Sequence, residues 1–217
     1  MAVFESKLDV RSEAYAKNYA DQLEKLAHLR ALEQRAVDAS ERRRARFEER
    51  GQLTPRDRLA QLLDPGMPFL TLYNMASYCV DDPNRETSVP GGSVLAGIGY
   101  VSGVRVMIVV DDSGINAGAA TEMGFRKSLE VMRIALKNKL PFIHLVESAG
   151  ANLMTYKVEL WAHGGSVFYM LAKLSAAGVP TLTVLHGPST AGGAYMPGMS
   201  DYNVGVKHNG MAKYVSR

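Results

Sequence analysis

The sequence has a single cysteine, Cys79, and no long uninterrupted run of apolar residues. One cysteine excludes an internal disulfide and is typical of a protein kept in a reducing compartment. Every apolar run falls short of the roughly 18 residues that a membrane span needs. The amino terminus carries acids early and lacks the apolar core of a signal peptide. We therefore expect a cytoplasmic protein without a membrane segment.

The chain also lacks a strong charge of one sign and any spacing typical of metal ligands. Its net charge of +3 is too small to indicate a nucleic-acid partner. The arginine run at 42–44 is surrounded by acids, so a solvated helix face explains it better than nucleic-acid binding. Histidines are scattered, which argues against zinc. Asp111 and Asp112 can ligate a hard cation, but a turn at a strand end explains them better, and we predict no metal.

Residues 1–66 differ in composition from the rest and predict a helical arm. Ser12 is a candidate N-cap of a long amphipathic helix that we expect to break near Gly51. A second helix is predicted from Thr54 and Pro55. The apolar stripe of the first helix comprises Tyr15, Tyr19, Leu23, Leu26, Leu29 and Leu32. Such an arm packs on its own core or on a partner subunit.

Residues 67–217 predict an α/β domain. We expect a hairpin of two strands, 94–101 and 104–110, joined at Ser102-Gly103. Two strand–loop–helix units follow, which implies a largely parallel sheet. The predicted elements are a short strand at 69–73, a helix at 122–139, a strand at 142–146, a helix at 164–177 closed by Gly178, and a strand at 180–185.

Two loops of small residues, 147–152 and 189–194, follow the two parallel strands. In such folds ligand loops lie at the carboxyl ends of strands, so both can face one pocket. Gly192 and Gly193 let backbone N–H groups approach a ligand oxygen, and a helix starting there favours negative charge. An oxyanion hole and a tight strand-to-helix turn both fit. Neither loop has the pattern of a Walker A or dinucleotide-binding motif.

Side chains near these loops offer no complete catalytic set. Ser148 lacks the context of a nucleophile elbow, and His144 lies within a strand. His186 can donate to a ligand or pack structurally, and Glu147 can be a base or an ion-paired residue. His163 is expected at a helix start. A site that polarises a carbonyl through amides without a protein base suits enolate stabilisation.

Four segments in order resemble the carboxyltransferase (beta) subunit of biotin-dependent acyl-CoA carboxylases, in the methylcrotonyl-CoA and geranyl-CoA branch. The segments are R-D-R-L-A-Q-L-L-D-P-G (56–66), P-G-G-S-V-L-A-G-I-G-Y-V-S-G (90–103), E-S-A-G-A-N (147–152) and T-A-G-G-A-Y-M-P-G-M-S-D (190–201). The resemblance runs from about residue 5 to 212 and implies a crotonase-like (ClpP/crotonase) β-β-α superhelix with an N-terminal helical arm.

The resemblance implies that this part of the subunit binds an acyl-CoA. The N–H groups of Gly192 and Gly193 would hold the thioester oxygen as the enolate forms, and biotin would accept the proton. Ala149, Gly150 and Ala151 would line the acyl or pantetheine path. Basic residues of the 122–139 helix would contact the CoA phosphates, although that face can equally be solvated. The implied binding residues also include Arg126, Lys127, Ala191 and Ala194.

The family's second crotonase-like half, which binds biotin, is absent from these 217 residues. Tyr214 to Arg217 also do not continue the family pattern. We therefore expect a homo-oligomeric component that needs an alpha subunit carrying biotin and cannot carboxylate alone. Two alternatives stay open: a crotonase-type hydratase, isomerase or decarboxylase using Glu147 or His186, and a truncated, non-catalytic assembly subunit.

Overall fold

The structure is a computed structural model that describes residues 5–151 and 157–213. The predictions that fall on Asn152 and on Tyr214 to Arg217 lie outside the described residues. The helices are α1 (Glu13–Glu41), α2 (Arg44–Glu48), α3 (Pro55–Leu62), α4 (Glu122–Asn138), α5 (Val158–Ala176) and α6 (Gly192–Met199). The strands are β1 (Leu70–Thr71), β2 (Val94–Val101), β3 (Val104–Asp111), β4 (Phe142–Ser148), β5 (Thr181–Thr190), β6 (Tyr202–Gly205) and β7 (Met211–Lys213).

The helix starts of the arm follow the predicted capping. The Ser12 hydroxyl accepts the Tyr15 N–H, and the Thr54 hydroxyl accepts the Asp57 N–H ahead of Pro55. The predicted position of the helix break, near Gly51, was wrong. α1 ends ten residues earlier, and the chain turns at 42–43 before α2. At this turn the buried Ser40 hydroxyl bonds to Asp112, 72 residues away in the chain. This long-range contact is invisible in local sequence.

The apolar stripe of α1 has two environments. Leu32 is buried against the body of the protein, whereas Tyr19 is 55% exposed and Leu26 is 40% exposed. The first half of the helix therefore has no cover from its own chain within the described residues. None of the described helices is long and apolar enough to cross a membrane.

The strands form one mixed sheet in the order β1-β2-β3-β4-β5-β6, and β7 pairs with the end of β5. The β2–β3 hairpin is antiparallel, with Val101 opposite Val104, which confirms the predicted turn. From β3 to β6, and between β5 and β7, the pairing is parallel. The carboxyl ends of β3, β4 and β5 consequently meet at one edge of the sheet.

Each face of the sheet buries its own apolar cluster. One face carries Met107, Phe142 and Val146 and packs against α4 and α5. The other carries Ile108 and Leu145 beneath α3 of the arm. Successive side chains along β3 and β4 therefore point alternately toward the helices on the two faces of the sheet.

Two further element boundaries differ from the sequence prediction by five residues or more, the end of β5 and the start of α5. β5 continues to Thr190 because Pro188–Thr190 pairs with β7, a contact from 23 residues further on. α5 begins at Val158 rather than Gly164, so His163 lies within the helix and not at its start. Gly164 is accommodated because the Phe125 ring packs against its open side. In both cases tertiary contacts override local propensity.

Two glycines, one in a crowded position and one in an open position, test the packing of β1 on β2 and the exposure of α5. A Cβ at Gly97 in β2 would lie 2.5 Å from the Leu70 carbonyl oxygen, whereas one at Gly165 in α5 meets open space. Gly97→Ala should lower the free energy of unfolding by about 1–3 kcal/mol through overpacking. Gly165→Ala should raise it by about 0.5–1 kcal/mol through helix propensity. Urea unfolding measures both, and a Gly97→Ala variant as stable as the parent would contradict the register of β1 on β2.

Candidate functional site

The two small-residue loops predicted from the sequence come together in space. Ser148 at the end of β4 pairs with Ser189 near the end of β5. A Cβ on Gly193 would lie 3.0 Å from the Ser148 Cβ, so a side chain there would press on Ser148. The strand ends and the start of α6 thus form one continuous wall.

The start of α6 exposes two backbone amides. Ala191 adopts φ 48°, ψ −119° and donates its N–H to the Lys213 carbonyl on β7. This unusual backbone turns the chain abruptly, and α6 begins at Gly192. The N–H groups of Gly192 and Gly193 belong to the first turn of α6 and have no acceptor within the helix. They can therefore donate to an anionic oxygen, whereas Ala194 is buried in the core.

The amides of the 149–151 loop are used inside the protein. Ala149 donates its N–H to the Ala117 carbonyl, and Gly150 donates to the Ser148 hydroxyl. The Gly150 carbonyl accepts the Ala120 N–H, and Ala151 forms an isolated bridge with Ala120. This loop therefore forms a fixed wall beside the open amides of α6.

Ser148 holds neighbouring loops together through hydrogen bonds, whereas the sequence was considered only for a nucleophilic role of this serine. Its hydroxyl donates to the Gly118 carbonyl at 3.0 Å and accepts from Gly150 at 3.1 Å. Its backbone carbonyl also accepts the Thr190 hydroxyl. With its hydroxyl hydrogen directed at Gly118, it joins three loops at the site. The sequence signal for this structural role was strand alternation, which places Ser148 on the same buried face as Val146.

A cavity of about 490 Å³, the arginine cavity, opens beside these strand ends. Its walls include Ala149, Thr190 and three arginines of the arm: Arg43, Arg46 and Arg50. Their i, i+3, i+7 spacing places them on one helical side, which is the signal that sequence analysis missed.

Arg44 is the arginine of this run that forms salt bridges with acids. It bonds to Glu41 at 2.6 Å and to Asp57 at 2.7 Å, and these hydrogen bonds raise its pKa. In the described part of the chain the three arginines of the cavity make no salt bridge. The helix face that was predicted to be solvated therefore has two environments. Arg44 is paired with acids, whereas Arg43, Arg46 and Arg50 line a cavity.

The two basic residues predicted on α4 do not lie at the arginine cavity. Arg126 pairs with Glu122 on the surface and borders a second cavity of about 700 Å³. Lys127 is 4% exposed and donates to the Val94 carbonyl at 2.6 Å. Burial first, and the nearby Arg56 second, lower the pKa of Lys127 to about 8. Its ammonium group therefore points into the protein and away from solvent.

Glu147 and His186 lie side by side beneath the arm. Glu147 Oε2 is 3.4 Å from His186 Nδ1, and both side chains are buried. Burial raises the pKa of Glu147 despite the pull of Arg58. Burial, with Arg58 and His144 adding to it, lowers the pKa of His186 to about 3. The histidine is consequently neutral at physiological pH.

The two aspartates at the end of β3 have partners within the protein. Asp112 accepts from Ser40 at 2.7 Å and from Arg56 at 3.2 Å. Asp111 lies 3.2 Å from His144 Nε2 and accepts the Glu147 N–H. Among the residues that the structure describes, no three histidine, cysteine or acidic side chains are grouped to hold a metal ion.

Comparison with known proteins identifies this arrangement. Residues 46–212 match the model of the carboxyl transferase domain. The chain belongs to that family. It is 42% identical over 206 residues to a probable biotin-dependent acyl-coenzyme A carboxylase beta2 subunit of Mycobacterium tuberculosis. It is 39% identical over 202 residues to the biotin-dependent 3-methylcrotonyl-coenzyme A carboxylase beta1 subunit of the same organism.

The solved structure of the beta subunit of Pseudomonas aeruginosa geranyl-CoA carboxylase has the same fold, with a TM-score of 0.90 and 43% identity. It is matched over 99% of this chain. The predicted crotonase-like α/β fold and the beta-subunit resemblance are thereby confirmed. This carboxyl transferase chain spans 38% and 37% of the two mycobacterial proteins and 40% of the solved one.

The buried ammonium of Lys127 should make stability depend on pH in a defined window. Its folded pKa of about 8 lies below the ordinary value of 10.5. Between these values the unfolded chain binds the proton that the folded chain lacks, so stability rises with pH. We expect a rise of about 1 kcal/mol from pH 7.5 to pH 9, measured by urea unfolding.

Lys127→Met should remove this rise, because methionine fills the same space without a charge. Lys25→Met, which changes an exposed lysine of α1, should keep the rise and serves as the control. An equal slope in parent and Lys127→Met would show that the amine is not desolvated.

Proposed function

We propose that this chain forms the acyl-CoA-binding half of the carboxyltransferase of a biotin-dependent acyl-CoA carboxylase. The observation that carries the proposal is the pair of open amides at Gly192 and Gly193, set against Ser148 at the strand ends. The proteins named above, which act on methylcrotonyl-CoA or geranyl-CoA, support the same substrate class. The cytoplasmic location and the division at residue 66 stay predictions.

The chemistry assigned to the amides is stabilisation of a thioester enolate. Removing a proton from the acyl chain places negative charge on the thioester oxygen, and two preorganised N–H donors favour that charge. The helix dipole of α6 adds to the effect. Ala149, Gly150 and Ala151 then form the wall along which the acyl or pantetheine chain lies. Glycine at position 193 is required because the oxygen must sit close to the backbone.

Biotin enters the proposal as a group carried by a partner alpha subunit. Carboxybiotin would supply the carboxyl group, and biotin would accept the substrate proton. Both open amides of α6 are taken by the thioester oxygen, so we assign no residue of the described chain to biotin. This chain's share is to bind and polarise the thioester. Carboxylation therefore needs the partner, and the uncovered half of α1 supports a homo-oligomer.

The CoA phosphates are assigned to the arginine cavity. Among the described residues Arg43, Arg46 and Arg50 make no salt bridge, and guanidinium groups bind phosphate through paired, charge-assisted hydrogen bonds. Arg126 remains the second candidate, because its exposed pair with Glu122 is weak. Lys127 has its ammonium on backbone carbonyls and is better assigned to holding α4 against β2.

The first test compares two adjacent glycines. A Cβ at Gly192 meets only the Phe168 ring at 3.6 Å, whereas one at Gly193 presses on Ser148 at 3.0 Å. Gly193→Ala should weaken 3-methylcrotonyl-CoA binding at least about tenfold and abolish the red shift of the bound thioester C=O stretch. Gly192→Ala should change affinity by less than about threefold and retain the shift.

Calorimetry gives the affinities, and infrared spectroscopy of carbonyl-labelled thioester gives the polarisation. CoA without an acyl group should bind both variants alike, which separates the oxyanion site from the phosphate site. A red shift that survives in Gly193→Ala would reject the oxyanion assignment.

The second test asks which arginines hold the phosphates. Arg46→Gln should weaken CoA binding about tenfold, because it removes a charge-assisted contact, and should reduce the salt dependence of binding. Arg126→Gln should leave CoA affinity unchanged. Titration with CoA and dephospho-CoA measures the effect, and the opposite ranking of the two variants would restore the assignment made from the sequence.

A crotonase-type hydratase, isomerase or decarboxylase is the second candidate. The observation that favours it is Glu147, a buried carboxyl group with a raised pKa that lines the arginine cavity beside His186. Hydration of crotonyl-CoA by the chain alone would favour this candidate. A folded chain that binds no CoA compound would instead favour a non-catalytic assembly subunit.

A further inference from the structure

Glu147 is an acid placed among cations that we have assigned to phosphate. Of the described residues that line the arginine cavity, it is the one carboxylate, opposite Arg43, Arg46 and Arg50. An ionised carboxylate there repels the phosphates that the arginines attract. The thioester chemistry proposed above does not use this group.

The Glu147 side chain is held rigidly in this position. Its carboxyl group packs directly on Gly187 of β5, where any Cβ would collide with it. Its backbone carbonyl is covered by Gly118, which has φ +67° and likewise admits no side chain without strain. The side chain is only 9% exposed, so its carboxyl group lies largely out of solvent.

Groups of opposite effect surround the Glu147 carboxyl group. From β5, His186 is neutral, and from β3 the carboxylate of Asp111 opposes a second negative charge nearby. From the arm, Arg58 of α3 and Arg50 beyond α2 favour the ionised form. Burial outweighs the Ser113 hydroxyl and these cations, all of which favour the ionised form, and raises the pKa of Glu147. Neither arginine forms a salt bridge with Glu147 in the described part of the chain, and its nearest titratable partner is the neutral His186 at 3.4 Å.

We propose that CoA binding in the arginine cavity is coupled to protonation of Glu147, so that a proton is taken up as the phosphates enter. This inference rests on the proposed function, because it assigns the CoA phosphates to this cavity. Negative charge brought beside the carboxylate favours its neutral form, and by linkage the neutral form binds CoA more tightly. Glu147 thereby makes CoA affinity fall as pH rises.

The test is calorimetric titration of the whole chain with CoA in buffers of different ionisation enthalpy, from pH 6 to pH 9. The parent should take up a fraction of a proton per CoA bound. The phosphate of CoA can only release protons to the buffer when it binds arginine, so uptake is diagnostic of a protein group. Glu147→Gln should show no uptake and should bind CoA about threefold to tenfold more tightly at the alkaline end.

Glu48→Gln is the matched control. It removes an exposed carboxylate from α2, the same helix that carries Arg46, and should preserve the proton uptake of the parent. Circular dichroism checks that both variants are folded. In the unmodified chain, infrared spectroscopy with labelled glutamate should show a protonated carboxyl band that grows when CoA binds.

The outcomes separate the two levels of the proposal. A folded parent that fails to bind CoA overturns the proposed function. CoA binding without proton uptake, or uptake that persists in Glu147→Gln, overturns the role of Glu147 and leaves the phosphate site standing. Should Glu147→Gln fail to fold, the infrared band of the parent decides the question by its growth or absence.

Discussion

The parallel pairing of β4 with β5 is the constraint on which the candidate site depends. It sets Ser148 opposite Ser189, and from there Gly193 comes to lie against Ser148. A slip of one residue would turn Ser148 to the arm face and Glu147 toward α4. The register shifts between Val146 and Ser148, and the pairing on the two sides of this shift fixes the loops, the open amides and the buried acid.

The arm contributes the second half of the site through a buried ionic contact. Asp112, 1% exposed, accepts from Arg56 of α3 and from Ser40 of α1. Burial raises the pKa of Asp112 even though both partners oppose it, so the carboxylate is costly unless they remain in place. Breaking such a pair costs about 3–5 kcal/mol, because it leaves a buried charge without a partner. The contact fixes the turn after α1 and so helps to place Arg43, Arg46 and Arg50 beside the strand ends.

Sequence reasoning succeeded where a structure depends on neighbours in the chain. The caps at Ser12 and Thr54, the hairpin at Ser102-Gly103 and the α4 helix were all predicted from local patterns. It failed where distant segments decide. β5 runs on because β7 pairs with it, α1 ends early because Ser40 reaches Asp112, and Lys127 turns inward to Val94. The arginine cavity was missed for the same reason: helical spacing groups Arg43, Arg46 and Arg50, but only the arm's docking gives them a cavity.

In the function proposed above, the site would handle two negative charges by two different physical means. The thioester oxygen is charged only while the enolate exists, so rigid backbone donors at Gly192 and Gly193 suit it, because they need no rearrangement. The phosphates are charged throughout, so permanently charged guanidinium groups suit them. In the same proposal, the buried Glu147 carboxylate offsets part of the mutual repulsion of the three arginines, which make no salt bridge among the described residues. It would then take up a proton when the CoA phosphates take its place beside them.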